Sequence, residues 1–223
     1  MTDDKKAILD RCKSLYVAAF SDAADEIGLQ RVSMDYGITP VTKHQRLMGF
    51  ARTGKLVRSP ARHPYDEEQF SRILRLSSDA QNGDILVIDS NRAPDAAAWG
   101  HVLTTIALGA GVRGAVIDGT SRDVDDIDNE GNFAVFARGR HPGSIRGRYD
   151  VESINQPVLC GGVTVNPGDL VFADGDGLVV IPKDKIAKVL DHAEKIAEID
   201  NWWIEGLKKG KSPHDLHKER ALP

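Results

Sequence analysis

The chain has 223 residues, 41% of them hydrophobic and 28% charged, an ordinary globular composition. Its 29 Lys and Arg against 33 Asp and Glu leave a net charge of −4, so no basic field points to nucleic acid. No apolar run approaches the ~20 residues of a membrane span, and the polar start Met1 to Lys6 has no signal-peptide core. Cys12 and Cys160 lie far apart and match no disulfide or metal spacing. These features predict a single domain over residues 1–223 in a reducing, cytoplasmic setting, with no nucleic-acid and no membrane partner.

Residues 5–28 read as helical, because Ile8, Cys12, Leu15, Ala19 and Ala23 recur at helical spacing and Gly28 suits a C-cap. Ser21-Asp22 is a candidate cap for a second short helix running to Ile27. Met48 to Val57 alternates weakly and reads as a strand. Pro64 to Leu76 reads as a charged surface helix. Asp84 to Asp89 reads as a buried strand after the Asn82-Gly83 turn. Residues 95–110 read as a buried helix of small apolar residues, with Asp95 near its start and Gly109 near its end. Strands follow at 115–118 and at Phe133 to Arg138. Val158 to Val165, Leu170 to Ala173 and Leu178 to Ile181 read as three more. Residues 183–209 carry an apolar stripe through Ile186, Val189, Leu190, Ala193, Ile196 and Ala197, and a polar tail follows in which Leu216 can pack back. The alternation predicts a mixed α/β fold.

The most informative stretch runs from Ala115 to Asp123. A short apolar run ends at Asp118-Gly119 and is followed at once by Arg122 and Asp123. Loops at strand ends are where α/β proteins place ligand chemistry. Arg offers a planar fork for a carboxylate, and Asp offers hard oxygens for a divalent metal. Together they could hold a metal-chelating carboxylic acid, although for an isolated Arg-Asp pair a surface ion pair in a turn is the commoner arrangement. Gly100 to Leu103 lies near the start of the Ala-rich helix, where free amides bind anions and a glycine admits a close approach. A packed Trp99 and a polar His101 on a core helix are the plainer account of the same residues.

Other motifs carry less. Gly109 to Gly114 fits G-x-G-x-x-G, but these glycines close a helix and precede a strand, the reverse of a dinucleotide site, and read as a C-cap and turn. Asp118, Asp123, Asp125, Asp126 and Asp128 form an acidic cluster without the EF-hand spacing, and most of these acids read as solvated. Asp174 and Asp176 read as turn formers. No H-E-x-x-H or G-x-S-x-G is present, and His214 and His217 read as solvated tail residues.

The chain resembles the regulator-of-ribonuclease-activity-A-like family, which includes the 4-hydroxy-4-methyl-2-oxoglutarate aldolases. The resemblance covers nearly the whole chain and rests on separate blocks in order: Ser21 to Ala23, Gly49 to Thr53, Gly100 to Leu103, Gly111 to Asp123, Val165 to Asp169 and Asp174 to Pro182. It implies a compact swivelling β/β/α-type fold assembled as a homotrimer or homohexamer. It also implies a Mg²⁺- or Mn²⁺-dependent lyase that cleaves a 4-hydroxy-2-oxo acid or decarboxylates oxaloacetate, with pyruvate as a product. By resemblance Asp123 is the metal ligand, and Arg122 contacts the substrate's carboxyl or keto oxygen. The amides of Gly100, His101, Val102 and Leu103 hold the pyruvyl carboxylate. Aldolase members often carry Asp or Glu where this chain has His101, an acid that holds water beside the metal. They also take an acid from a neighbouring subunit's C-terminal helix, for which Glu198 and Asp200 are the candidates. Adjacent Trp202 and Trp203, too large for one small domain to bury fully, point to the same subunit boundary. The family also has short, non-enzymatic members that bind an endoribonuclease, and a protein-binding regulator is therefore the alternative.

Overall fold

The computed structural model describes residues 1–59 and 67–222. The first 26 residues form two helices, α1 (Asp3–Cys12) and α2 (Val17–Glu26), where periodicity predicts one. The break at Lys13 to Tyr16 exposes carbonyl oxygens at the end of α1. Arg46 closes that end by donating to the carbonyls of Cys12, Lys13 and Leu15 at 3.2, 2.8 and 2.7 Å. Ser21 and Asp22 are interior to α2 and cap nothing, whereas Gly28 ends the helix at φ +76° as expected.

After β1 (Thr39–Pro40) comes the long strand β2 (Leu47–Arg58), then α3 (Glu67–Ser78) and β3 (Asp84–Asp89). The start of the helix expected from Pro64 lies outside the described residues. β3 alternates its apolar side chains between two cores. Leu86 and Ile88 join one cluster, and Ile85 and Val87 join another. A strand buried on both faces reads as a continuous apolar run, which is why its sequence announced it.

The segment expected as a helix over 95–110 divides. Ala97–Trp99 is a strand, β4, and only His101–Gly109 is helix, α4. Alanine is the best helix former, but propensity is a weak determinant and tertiary pairing overrides it here. β4 lies parallel to β5 (Gly114–Ser121), and the Ala97 amide donates to the Gly143 carbonyl at 2.7 Å. Asp95 starts no helix; its carboxylate accepts from Arg58 and from the Tyr149 hydroxyl. Gly111, at φ +84°, turns the chain from α4 toward β5, the role read from the glycine motif.

A short helix, α5 (Val124–Asn129), then β6 (Ala134–Arg140) and β7 (Tyr149–Ile154) follow. Sequence patterning missed α5, β7 and β1. Residues 158–165 make two strands, β8 (Val158–Cys160) and β9 (Val163–Val165), joined at Gly161 and Gly162, both with positive φ. β10 (Leu170–Asp174) and β11 (Gly177–Ile181) form a hairpin, with the Asp174 carboxylate accepting from the Asp176 amide in the turn.

The nine-stranded sheet runs β1-β6-β5-β3-β2-β10-β11, with β4 beside β5 and β7 beside β2. Its β2, β3, β5 and β6 are parallel neighbours, which brings the carboxyl ends of β3 and β5 to one edge. Cores lie on both faces: α3 and α4 cover Leu86, Ile117 and Val135, and the β8–β9 hairpin covers Val116 and Phe136. A third core packs α2 and α6 (Ile186–Lys208) on Phe50, Phe172 and Ile181. The fold is therefore mixed α/β, as expected. No helix among the described residues is long and apolar enough to cross a membrane.

The tail is more ordered than its polarity implies. It forms α7 (Pro213–Glu219), and Leu216 is fully buried. Trp203 packs under this helix and donates its indole N–H to the Arg220 carbonyl at 2.9 Å, so the chain buries this tryptophan itself. Trp202 meets Trp203 edge-on.

One acid of the Asp118–Asp128 cluster is a core residue. Asp118, on β5, is 5% exposed. It pairs with Arg138 and accepts from the Gly161 amide at 2.8 Å, tying the β8–β9 hairpin to the sheet. Removing one partner of a buried pair strands the other charge. Asp118→Ala should therefore lower unfolding free energy by about 3–5 kcal/mol, read as a reduced urea midpoint.

Candidate active site

β5 delivers the site. At Ser121 the strand ends, and Arg122 and Asp123 form the corner that leads into α5. The Arg122 amide donates to the Trp99 carbonyl at 3.0 Å, fixing this corner to the end of β4. Asp123 adopts a left-handed backbone, φ 54° and ψ 33°, a conformation most side chains avoid and Asp tolerates. Such strained positions cluster at functional sites. The turn aims the carboxylate back at the start of α4: Oδ2 accepts from the His101 amide at 3.3 Å and lies 3.4 Å from Arg122 Nε.

Gly100 is the N-cap of α4 and is extended, at φ −170°. Its value is space rather than backbone freedom. A Cβ there would sit 2.8 Å from Asp123 Oδ2, 3.2 Å from Arg122 Cγ and 3.3 Å from Arg122 Nε. The first-turn amides of Val102 and Leu103 have no acceptor within the helix, and the helix dipole adds partial positive charge there. Trp99 forms the floor. It is 1% exposed, stacked on Phe133 with centroids 5.8 Å apart, and bonded through its indole N–H to Thr104 Oγ1 at 2.8 Å.

Two clefts meet at this corner. One has an empty volume of about 490 Å³ including its mouth, and runs from Gly100, Arg122 and Asp123 along α3 and the segment after β6. The other is polar, lined by Arg122 and Asp123 with Asp125, Asp126, Arg140 and His141. Residues Gly100, Val102, Leu103, Arg122 and Asp123, predicted from sequence, all border the first cleft. His101 is not among the residues lining it. Its amide serves Asp123, while its ring turns to Glu130, Nε2 to Oε1 at 2.7 Å. Thr105 Oγ1 reaches the same oxygen at 3.4 Å. An ionised carboxylate there can only accept, so Nε2 is the donor of this contact. Glu130 was missed because it lies 29 residues from His101, and only the packing of α5 on α4 joins them.

Glu198 and Asp200 point elsewhere within one chain. Glu198 pairs with Arg220 at 3.1 Å, and Asp200 accepts from the Tyr16 hydroxyl, which burial and this carboxylate together push above the usual phenol range. For a metal, the donors matter. No three His, Cys, Asp or Glu side chains converge as a cage among the described residues. Asp123, about one-third exposed, supplies one hard carboxylate between two open clefts. That fits an ion such as Mg²⁺, which binds through one or two carboxylates and keeps several waters. It does not fit Zn²⁺, which takes several protein N or S ligands.

Residues 17–180 match the family described as RraA-like: Aldolase/RraA, a span that includes Gly100, Arg122 and Asp123. A Halalkalibacterium halodurans protein provisionally named 4-hydroxy-4-methyl-2-oxoglutarate aldolase is 31% identical over 82% of this chain and 80% of its own length. Protein DlpA of Legionella pneumophila is 29% identical over 85% of this chain, which spans only 30% of that longer protein. Among solved structures, an uncharacterized protein from Pseudomonas syringae pv. tomato superposes with a TM-score of 0.81, covering 95% of this chain and 97% of that one at 29% identity. Streptomyces coelicolor RraAS2, described as an unusual member of the RNase ES inhibitor RraA protein family, gives a TM-score of 0.75 at 25% identity, with 88% and 94% coverage.

Proposed function

The chain belongs to the RraA-like family, and from that premise we propose that it is a divalent-metal-dependent pyruvate aldolase, acting on a 4-hydroxy-2-oxo acid, on oxaloacetate, or on both. The observation that carries this reading is the Arg122-Asp123 corner, held against the free amides of α4 through the gap at Gly100.

Cleavage of the C3–C4 bond requires loss of the 4-hydroxyl proton to water at the site: the O–H pair becomes the C4 carbonyl, the C3–C4 pair passes through C2 to the 2-oxo oxygen, and the pyruvate enolate left behind takes a proton at C3 to give pyruvate. In decarboxylation the bond to the departing carboxylate breaks and the same enolate forms. Mg²⁺ or Mn²⁺ held by Asp123 supplies Lewis-acid stabilisation of that charge. Arg122 donates to the same oxygen, an interaction that strengthens as charge develops. The amides of Val102 and Leu103 orient the C1 carboxylate, and Gly100, which carries no side chain, lets Arg122 and Asp123 close against the same helix start. His101, its Nε2 held by Glu130, keeps Nδ1 for a hydrogen bond with a water at the site.

Steady-state assays with oxaloacetate and 4-hydroxy-2-oxo acids, with and without Mg²⁺ or Mn²⁺, test the proposal. Metal-stimulated pyruvate release is expected. Its absence on every substrate would leave the regulator reading, which the likeness to RraAS2 favours and which predicts binding to an endoribonuclease instead.

A closed homotrimer or hexamer belongs to the same proposal. Trp203 no longer argues for it, since α7 covers that ring. Exposed Ile204 and Leu207, at 47% and 44%, place apolar surface on the same helix. Light scattering at micromolar concentration should give a trimeric mass or a multiple of it. A fully active monomer would remove both the assembly and any role for a neighbour's Glu198 or Asp200.

A further inference from the structure

We propose that Arg140 and His141 form the subsite for the second carboxylate of a dicarboxylic 2-oxo acid, and so set a preference for such acids over those with an uncharged tail. The proposal rests on the site reading above and adds the far end of the substrate. β5 and β6 run parallel with Ser121 opposite Arg140, so the end of β6 lies beside the Arg122-Asp123 corner. The His141 amide donates to the Ser121 carbonyl at 2.9 Å, and the Gly143 carbonyl accepts from the Ala97 amide at 2.7 Å. The segment after β6 is therefore tied to β5 and β4, the strands that lead to the corner and to Gly100.

Both side chains have donors to offer. The Arg140 guanidinium bonds to the Val41 carbonyl at 2.7 Å, and among the described residues no carboxylate lies within 4.0 Å of it. A carbonyl does not neutralise a guanidinium, whose planar fork matches a carboxylate. His141 Nδ1 accepts from the Gly143 amide at 3.0 Å. A backbone amide can only donate, so the ring proton is on Nε2, which has no partner among the described residues. Arg140 and His141 line one cleft with Arg122 and Asp123, with an empty volume of about 800 Å³ including its mouth. A substrate with its C1 carboxylate at the α4 amides and its 2-oxo oxygen at Arg122 can pass its far end over the corner into this cleft. Asp125 and Asp126 border it too, but they stand exposed in the first turn of α5, where water and salt screen them.

Isothermal titration of the full chain in Mg²⁺ with pyruvate, 2-oxopentanoate and 2-oxoglutarate tests this. The last two share a carbon chain and differ in a terminal methyl against a carboxylate. A hydrogen bond to a charged group is worth about tenfold or more in affinity, so 2-oxoglutarate should bind more tightly than 2-oxopentanoate by at least that factor. Arg140→Leu should remove the advantage and leave pyruvate affinity unchanged, which also reports that the variant is folded. Arg140→Lys, a point charge without the fork, should keep part of it. His141→Asn, whose Oδ1 can still accept from the Gly143 amide, should lose part of it. Pyruvate binding with no preference between the two longer acids, or a preference that Arg140→Leu leaves in place, overturns the subsite and leaves the site reading intact. So does a preference lost in Arg146→Leu instead, which would move the second carboxylate to the first cleft, and so does loss of pyruvate binding in Arg140→Leu, which would make that residue structural. Failure of every 2-oxo acid to bind the wild-type chain, pyruvate included, overturns the site reading itself.

Discussion

Calorimetry on Asp123→Asn is expected to show no measurable Mg²⁺ or Mn²⁺ binding, with metal-stimulated turnover lost alongside it. Asn is the right replacement. It matches Asp in volume and shares its tolerance of the left-handed backbone at φ 54°, so the fold should survive and only the charge is removed. Ala at the same position would add about 1–2 kcal/mol of backbone strain and confuse the result. Among the described residues Asp123 is the one carboxylate bonded to both Arg122 and the His101 amide, while Asp125 and Asp126 line only the second cleft. Losing a supporting residue outside the metal's direct ligands typically costs ~10–100-fold in affinity, and losing the carboxylate ligand should cost more. Arg122→Ala separates the roles. It should leave metal bound and lower kcat by about 10²–10³, the scale of one lost oxyanion donor. Normal metal affinity in Asp123→Asn would place the ion elsewhere.

Gly100→Ala should disable the enzyme while leaving it folded. At φ −170° an alanine is as comfortable as a glycine, so no backbone penalty arises. The new methyl instead falls 2.8 Å from Asp123 Oδ2 and 3.2 Å from Arg122 Cγ. Both side chains must move by several tenths of an ångström, and the carboxylate's approach to the α4 amides closes. A misplacement of about 1 Å can cost 10²-fold where orientation governs the rate, so these smaller shifts cost up to that. We expect kcat/KM to fall ~10- to 100-fold with the thermal midpoint little changed. Wild-type kinetics in Gly100→Ala would show that the gap is incidental and that ligand binds on another side of the corner.

The elements legible in the sequence are those whose partners are local or whose burial is complete. β3 is an unbroken apolar run because a parallel strand is covered on both faces, and α6 shows its stripe because one face packs on α2. The pairing of Arg122 with Asp123 was readable because both lie at the end of one strand, and the apolar run of β5 stops just before them. Gly100 to Leu103 was found as a candidate, though inside a helix that proved to start only at His101. What sequence patterning missed depends on distant contacts. β4 is a strand because β5 and Gly143 receive it, against the helical preference of its alanines. The α1–α2 break survives because Arg46, more than thirty residues away, closes the exposed carbonyls. Asp118 left the solvated cluster for the core because Arg138 and the Gly161 amide meet it there. His101 took Glu130 as its partner, and Trp203 found cover under α7, through packing between helices that no spacing along the chain encodes. Residue type and local period are properties of neighbours in the chain. Which charge neutralises which, and where a helix must give way to a strand, follow from burial, which exists only once the sheet and its covering helices have closed around them.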